Sequence, residues 1–502
     1  MKEYLLKRPM FISGLICTVI SVTSYFYMPS LLIFGALLIF AIGFVVFKGV
    51  KPEIVFSLFM AVVMIISCVF TYGKIERLTK FSGKTYPLKL TVCIETYESE
   101  NYSRVTAQVI EGDLPKGTKI NFSYKGNNLK VGEVVKSHIK VTNVEEKYRP
   151  NEYSQGVFLN GKAEDTPILT NEKDIILSFA QRTREYITES LFKNMANDEA
   201  ATLCALIFGE RKFLRDEFYE NVKAAGVSHV LVVSGMHLAI IMSIFIRLFE
   251  KGVYNRFLRA VLIILIVLFL NLICGFTMSM QRAGITYFMI AISYCLNRKS
   301  NPDNTIGTAM TVILITSPFA ILSVALQLSM LSTYGILSIA LPINRVIKQR
   351  KLIKTKAVSI LTESAIITLS ATLLTFPVSV YVFGYVSAVA LLPNLIISLI
   401  ITQTFMLSIL ALLINLIAPC FATVFFISLG VIVKFINCVI NFFGGLDWAV
   451  AEMPGFAGIL CMGLIILVFW CLLTCKKYVS MLKLVEKDNK IVKEGGKRLK
   501  WR

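Results

Sequence analysis

A chain of 502 residues that is 55% hydrophobic and only 17% charged, with a mean hydropathy of +0.68, carries more apolar surface than a soluble core of this length can bury. That excludes an ordinary soluble globular enzyme; most of the chain must be solvated by lipid. The net charge of +20 does not by itself indicate nucleic acid, because much of it sits in short loops between apolar runs, where the lysines and arginines of cytoplasmic loops collect.

A hydrocarbon core about 30 Å thick needs ~20 apolar residues, and three such runs come first, near 11–28, 31–47 and 54–71. The opening MKEYLLKR and the apolar stretch behind it have the charge pattern of a signal peptide, but no small-x-small cleavage site follows, so the segment reads as a retained anchor. Hydropathy collapses over residues 73–174. There, alternating segments at 88–95, 104–110, 119–124 and 134–141, separated by Gly-Asp, Lys-Gly and Gly-Asn-Asn turns, predict a small β-barrel. Between residues 74 and 165 this region holds 15 Lys/Arg against 12 Asp/Glu, a mild basic excess. Of the 11 cysteines only Cys93 lies in it, so it has no internal disulfide; the others fall in or beside apolar runs, where cysteine acts as a small hydrophobe.

Residues 175–195 carry Ile176, Phe179, Ile187 and Leu191 at helical spacing among Arg182, Arg184, Glu185 and Glu189, which predicts a helix lying on the membrane surface; a second polar-faced stretch spans 198–225. Nine further spans follow, near 229–249, 257–275, 279–296, 305–322, 324–342, 358–384, 388–417, 421–443 and 456–475, making about twelve in all. Under this count Lys48 and Lys51, Lys251 and Arg256, Arg298 and Lys299, the basic loop at 345–356 and the tail from Lys476, with ten Lys/Arg against three acids, share one side. That side is read as the cytoplasm, with residues 73–174 outside.

The sharpest local feature is GVSHVLVVSGMHLAII, which sets two of the three histidines at the head of an apolar segment. On an ideal helix at about 100° per residue, His229 and His237 lie about 80° apart and Ser234 about 60° from His237, close enough to share one wet face. Ser234-Gly235 weakens the helix, as in membrane helices broken to line a cavity. Packed histidines satisfied by neighbouring helices are the alternative reading. No carboxylate or cysteine accompanies them at metal-ligand spacing, and Ser234 lacks a nucleophile-elbow context. Arg282, in GFTMSMQR, is costly inside a bundle unless paired or facing water, or else it snorkels to the interface. Gln327, Ser329, Glu363 and Asn394 are polar residues in apolar runs and read as interhelical hydrogen-bonding glue, beside the bend-forming Pro377 and Pro393.

The order of these motifs resembles the ComEC family of competence proteins across about residues 150–400. The matching features are a tyrosine-bearing segment after the barrel (NEYSQGVFLNGKA), a helix closing on Gly-Glu-Arg (ALIFGER), and Gly-x-Ser-His leading into Ser-Gly-x-His (Gly226, Ser228, His229, Ser234, Gly235, His237). They continue with Gly275, Phe276, Ser279, Arg282 and Ala283, then Gln327, Leu328 and Ser329, then Pro377, Phe383, Gly384 and Asn394.

The resemblance implies an α-helical polytopic membrane protein of about twelve transmembrane helices with an inserted OB-like external domain. Its divisions are residues 1–72 (helices), 73–174 (OB-like domain), 175–226 (amphipathic, interfacial helices), 227–476 (channel domain) and 477–502 (basic cytoplasmic tail). It further implies a cytoplasmic-membrane channel importing single-stranded DNA during natural transformation, along a path of His229, Ser234, Gly235, His237, Arg282, Gln327, Ser329 and Asn394. An OB-like domain holds single strands by stacking and basic contacts, which suits Tyr97, Tyr102, Lys119, Phe122, Tyr124 and Lys125.

Many family members end in a metallo-β-lactamase-like domain with a His-x-His-x-Asp-His signature; it is absent, and no histidine follows His237. With no P-loop either, the expectation is a chain without catalysis, metal or cofactor. Its partners would be DNA, lipid, an external DNA receptor, a cytoplasmic translocase and a separate nuclease. A homo-oligomer, a small-solute transporter or exporter, and an intramembrane hydrolase using Ser234 and His237 stay open.

Overall fold

The computed structural model describes residues 8–26, 52–98, 102–126, 128–231, 235–253, 255–298, 301–349 and 355–453, and residues 457, 460 and 463. Helices α1 (Pro9–Phe26) and α2 (Pro52–Thr79) lead into strands β1 (Thr85–Glu98), β2 (Ser103–Gly112), β3 (Lys119–Tyr124) and β4 (Glu133–Asn143). A short α3 (Arg149–Ser154), β5 (Val157–Ala163) and β6 (Ile168–Lys173) complete this part. The chain continues with α4 (Ile175–Asn194), α5 (Asn197–Phe208), α6 (Asp216–Ala224), α7 (Gly235–Gly252), α8 (Arg256–Ile273), α9 (Met278–Leu296) and α10 (Pro302–Thr316). A 3-10 turn at Pro318–Leu322 precedes α11 (Val324–Gly335), which runs through a π-helical segment, Ile336–Ala340, into α12 (Leu341–Gln349). Last come α13 (Lys356–Phe383), β7 (Tyr385–Ser387), α14 (Leu391–Ile417), α15 (Pro419–Gly444) and β8 (Val450–Glu452).

The period-two pattern of the β region resolves as expected. In β4, Val135, Ser137, Ile139 and Val141 point inward while Lys136, His138 and Lys140 are exposed. The strands pair in the order β1-β2-β3-β5-β4, and β4 returns to β1, closing a five-stranded barrel with one parallel contact, β3 to β5. This is the OB arrangement. Strand β6 adds to the outer edge of β4. The segment NEYSQGVFLNGKA lies within the barrel rather than after it: it forms most of α3 and all of β5, the strand that closes the cylinder. Above it Glu152, 5% exposed, accepts from Arg104 at 2.8 Å, and Arg104 also reaches Asn160.

Seven helices among the described residues are long and apolar enough to cross a membrane: Pro9–Phe26, Val55–Thr79, Arg256–Ile273, Val324–Gln349, Val358–Phe383, Leu391–Ile417 and Pro419–Gly444. The count of about twelve is not confirmed. The expected spans at 31–47 and most of 456–475 lie outside the described residues, as do the tail and its cytoplasmic placement. The expected span at 305–322 ends early, because Ser317-Pro318 stops α10 and a tight 3-10 turn follows. The span expected from 229 begins only at Gly235.

The 175–226 region is not confined to the surface. Helix α5 is buried from Ala200 to Leu206, and its residues share a core with Leu191 of α4 and with Ile397, Phe405, Phe426 and Val433 of α14 and α15. Polar bonds fix this packing: Thr202 donates to Asn437 at 3.0 Å, and Asn415 donates to Ser190 at 3.2 Å. The barrel docks through Phe319 of the 3-10 turn, which enters the barrel's apolar cluster.

Helices α1 and α10 touch backbone to backbone: a side chain at Gly307 would lie 2.2 Å from the Met10 carbonyl oxygen. Gly307→Leu is therefore expected to cost about 1–3 kcal/mol through overpacking, read as a lower thermal midpoint in detergent. Gly73→Ala, which meets nothing within 4 Å, should leave it near wild type.

In the barrel, burial holds the Glu152 carboxyl above its ordinary value of 4.5 despite Arg104. A raised acid contributes stability fully below 4.5 and loses it as pH rises through the raised value. Glu152→Gln should thus flatten that limb of the Tm against pH profile. Arg104→Met, which strands a buried carboxylate, should cost about 1–3 kcal/mol at neutral pH, less than breaking a fully buried pair because Arg104 is one-third exposed.

Candidate functional site

Helix α6 ends at Gly226, whose φ of +71° is the left-handed conformation that glycine adopts without strain. A side chain there would also strike Ala390 at 2.6 Å and Ser387 at 2.8 Å, so the turn lies directly on the start of α14. Two side chains hold it: Ser387 donates to the Ala224 carbonyl at 2.7 Å, and Asn394 donates to the Gly226 carbonyl at 3.4 Å. His229 keeps an exposed surface.

His229 thus sits in a turn ahead of α7, which corrects the expectation that it shares one helix face with His237. The Gly-Ser pair marks a helix start where a mid-helix break was expected, and Ser234 lies outside the described residues. His237 is 2% exposed and stacks on Phe405 of α14, with ring centroids 4.4 Å apart at 28°.

Two residues before it, Gly235 presses on α9. A side chain at Gly235 would fall 2.3 Å from Nη2 of Arg282 and 3.0 Å from Cβ of Ala283. Arg282 is 9% exposed, its Nε has no hydrogen-bond partner among the described residues, and no described carboxylate lies within ion-pair distance. Its helix is aimed by a strained turn: Gly275 at φ +71° is followed by Phe276 at +52°, a rare conformation for a residue with a side chain. The turn is braced when the Phe276 N–H donates to Asn271 and when Arg184 of α4 donates to the Ile273 carbonyl. Glu210, in the Gly-Glu-Arg segment, pairs with Arg184 at 3.8 Å.

The remaining expected positions divide. Ser279 and Ser329 meet at 3.1 Å, joining α9 to α11, whereas Gln327 donates to the Ile321 carbonyl at 2.7 Å and closes the 3-10 turn. Glu363 pairs with Lys348 at 2.9 Å. In the barrel, Tyr102, Lys119 and Lys125 are exposed, and the side chain of Tyr97 lies outside the description. Phe122 and Tyr124 are core, at 0% and 3% exposure, so neither ring offers a face to a stacking base.

Sequence reasoning missed Phe405 and Arg184. The first is one apolar residue in an apolar run, and nothing along the chain marks it. No three His, Cys, Asp or Glu side chains stand together at metal-binding distance among the described residues. What the geometry shows is a buried guanidinium with no carboxylate in ion-pair reach among the described residues, held against the start of the helix that carries His237.

A family model described as competence protein matches residues 206–478, more than half of the chain. The chain belongs to the competence protein family. No curated protein and no solved structure matches it. Membership makes this a membrane protein with a role in DNA uptake. The matched region takes in the Gly226 turn, α7, the Gly275 turn and Arg282, and begins at Leu206, just before the Gly-Glu-Arg segment; the barrel lies outside it.

In this competence protein the atom nearest to Gly235 is the far end of a flexible side chain, so a bulkier residue is accommodated only by moving Arg282. Gly235→Val is expected to leave protein level and thermal midpoint close to wild type while internalised DNA falls severalfold.

Proposed function

We propose that this competence protein is the conduit through which single-stranded DNA crosses the cytoplasmic membrane. The observation that carries the reading is the buried guanidinium of Arg282, pressed against Gly235 of α7, the helix that also carries His237, with no carboxylate in ion-pair reach of Arg282 among the described residues. A buried arginine left without an acid is costly in a bundle that only packs, and its cost is met when water or a phosphate reaches it. Imidazoles and one guanidinium attract phosphates without the many-point binding that would stall a strand.

In this reading the barrel stands on the outer side with the basic ends of the chain in the cytoplasm, and Tyr102, Lys119 and Lys125 belong to its receiving surface. Asn394 and Ser329 hold the helices that border the path. The chain performs no catalytic step; an external receptor, a cytoplasmic translocase and a separate nuclease supply delivery, force and strand degradation.

The test is uptake of labelled DNA in a transformable host, scoring surface-bound and internalised DNA separately. Loss of a charge-assisted hydrogen bond of about 1.5–3 kcal/mol corresponds to about 10–100-fold. Arg282→Gln is expected to lower internalisation by that factor with surface binding retained. Wild-type internalisation by Arg282→Gln would contradict the proposal.

A further inference from the structure

The barrel carries two places where lysines stand directly opposite one another on neighbouring strands. Lys89 of β1 faces Lys136 of β4, and Lys140 of β4 faces Lys162 of β5. Directly opposed side chains lie about 4.5–5.5 Å apart at Cβ, and like charges in that position destabilise a sheet. The fold relieves the first pair: Lys89 reaches Glu172 at 2.8 Å and Glu111 at 3.6 Å. It offers nothing comparable to the second. Lys140 and Lys162 are both exposed, and neither has an ion-pair partner among the described residues.

The same face continues along β4. Lys136, His138 and Lys140 alternate outward while Ser137 and Ile139 are buried, so successive outward groups are separated by about 6.8 Å. That interval is close to the spacing of phosphates along an extended single strand. One acid stands at the middle of this row, where Asp165 bonds Nδ1 of His138 at 2.7 Å and accepts from Ser137, so the free positive charge of the face is that of Lys136, Lys140 and Lys162; Glu164 is exposed beside it. Two other cations of the barrel are neutralised, Arg104 by Glu152 and Lys130 by Glu185.

We infer that the outer face of β4 and β5, through Lys136, Lys140 and Lys162, is a phosphate-tracking stripe for single-stranded DNA. The inference rests on the DNA-conduit reading and deepens it, because it moves the main contact from the aromatic positions of β1 to β3 to a ladder of lysines on the opposite side of the barrel. Binding there is set by backbone charge, is tolerant of sequence, and tracks a strand lengthwise along β4. An anionic lipid surface could be drawn to the same charges. The alternation along one strand favours a linear polyanion over a membrane plane, since a plane would engage the neighbouring exposed Ile168 and Leu169 as well.

The experiment uses the full chain in nanodiscs of zwitterionic lipid and measures anisotropy of a labelled single-stranded oligonucleotide over a range of salt. Lys140→Glu with Lys162→Glu is expected to weaken binding about tenfold or more and to lower the salt slope by about 1.4, two phosphate contacts at ~0.7 each. The same net charge change made as Lys80→Glu with Lys116→Glu should leave the slope unaltered. Lys162→Glu alone sets opposite charges across the strands and should raise the thermal midpoint, which separates lost binding from lost folding. Unchanged binding by the Lys140→Glu/Lys162→Glu protein, with wild type still binding and importing DNA, overturns the stripe and leaves the conduit standing. Wild-type protein that neither binds nor imports single strands overturns both. If that variant keeps its DNA affinity but loses adhesion to vesicles containing anionic lipid, the face belongs to lipid and the inference fails.

Discussion

A guanidinium enclosed between helices α7 and α9 is the constraint on which the rest of this structure turns. A charge buried among packed helices is costly unless something hydrated or anionic reaches it, and Arg282 is held there by geometry that leaves little alternative. Gly235 is stripped of a side chain at the one point where the guanidinium needs the space. The left-handed pair at Gly275 and Phe276 turns the chain so that α9 presents Arg282 toward α7. Strain and the loss of a side chain are both destabilising, and a bundle built only to pack would relieve them by substitution at these positions.

The barrel and this site are mechanically joined. Phe319 anchors the barrel to the bundle through apolar burial, while Lys130–Glu185 and Lys212–Glu95 tether it at the surface, where such pairs contribute at most about 1 kcal/mol each. Next to Glu185 along α4, Arg184 holds the Ile273 carbonyl and touches the Gly275 turn. The helix that meets the barrel through Glu185 is thus the one that braces the turn ahead of Arg282. The order of the segments along the chain makes sense in these terms: α4, the Gly-Glu-Arg segment and the Gly275 turn meet in space although about ninety residues separate their ends.

Much of this was legible in the sequence, and the failures have definite causes. Alternation identified the barrel strands, but not their closure, because the β3–β5 and β1–β4 pairings are non-local and leave no trace in a window of residues. From the sequence the aromatics of the barrel are equally compatible with core and with a stacking surface, and for Phe122 and Tyr124 the pattern of β3 decides for core: they share a face with Ile120, opposite Lys119, and Ile120 is core. Hydropathy extended the α7 span back to 229 because Val230 to Val233 are apolar, while the positive φ that Gly226 supplies and the helix start at Gly235 are conformational facts that hydropathy does not register. Gly235, His237 and Arg282 were found because polar or small residues stand out in apolar runs; Phe405 was not, because it does not.

The account stands or falls on water reaching the helices that hold Arg282 and the turn that carries His229. The most direct measurement places a single cysteine at 229, as His229→Cys, in a background freed of native cysteines, and follows its reaction with a charged, membrane-impermeant thiol reagent, with Leu265→Cys on the exposed apolar face of α8 as the reference. Rapid modification at 229, slowed by bound single-stranded DNA, with the reference unreactive, is the expected result. A cysteine at 229 as inert as the one at 265 would mean that no hydrated passage exists there.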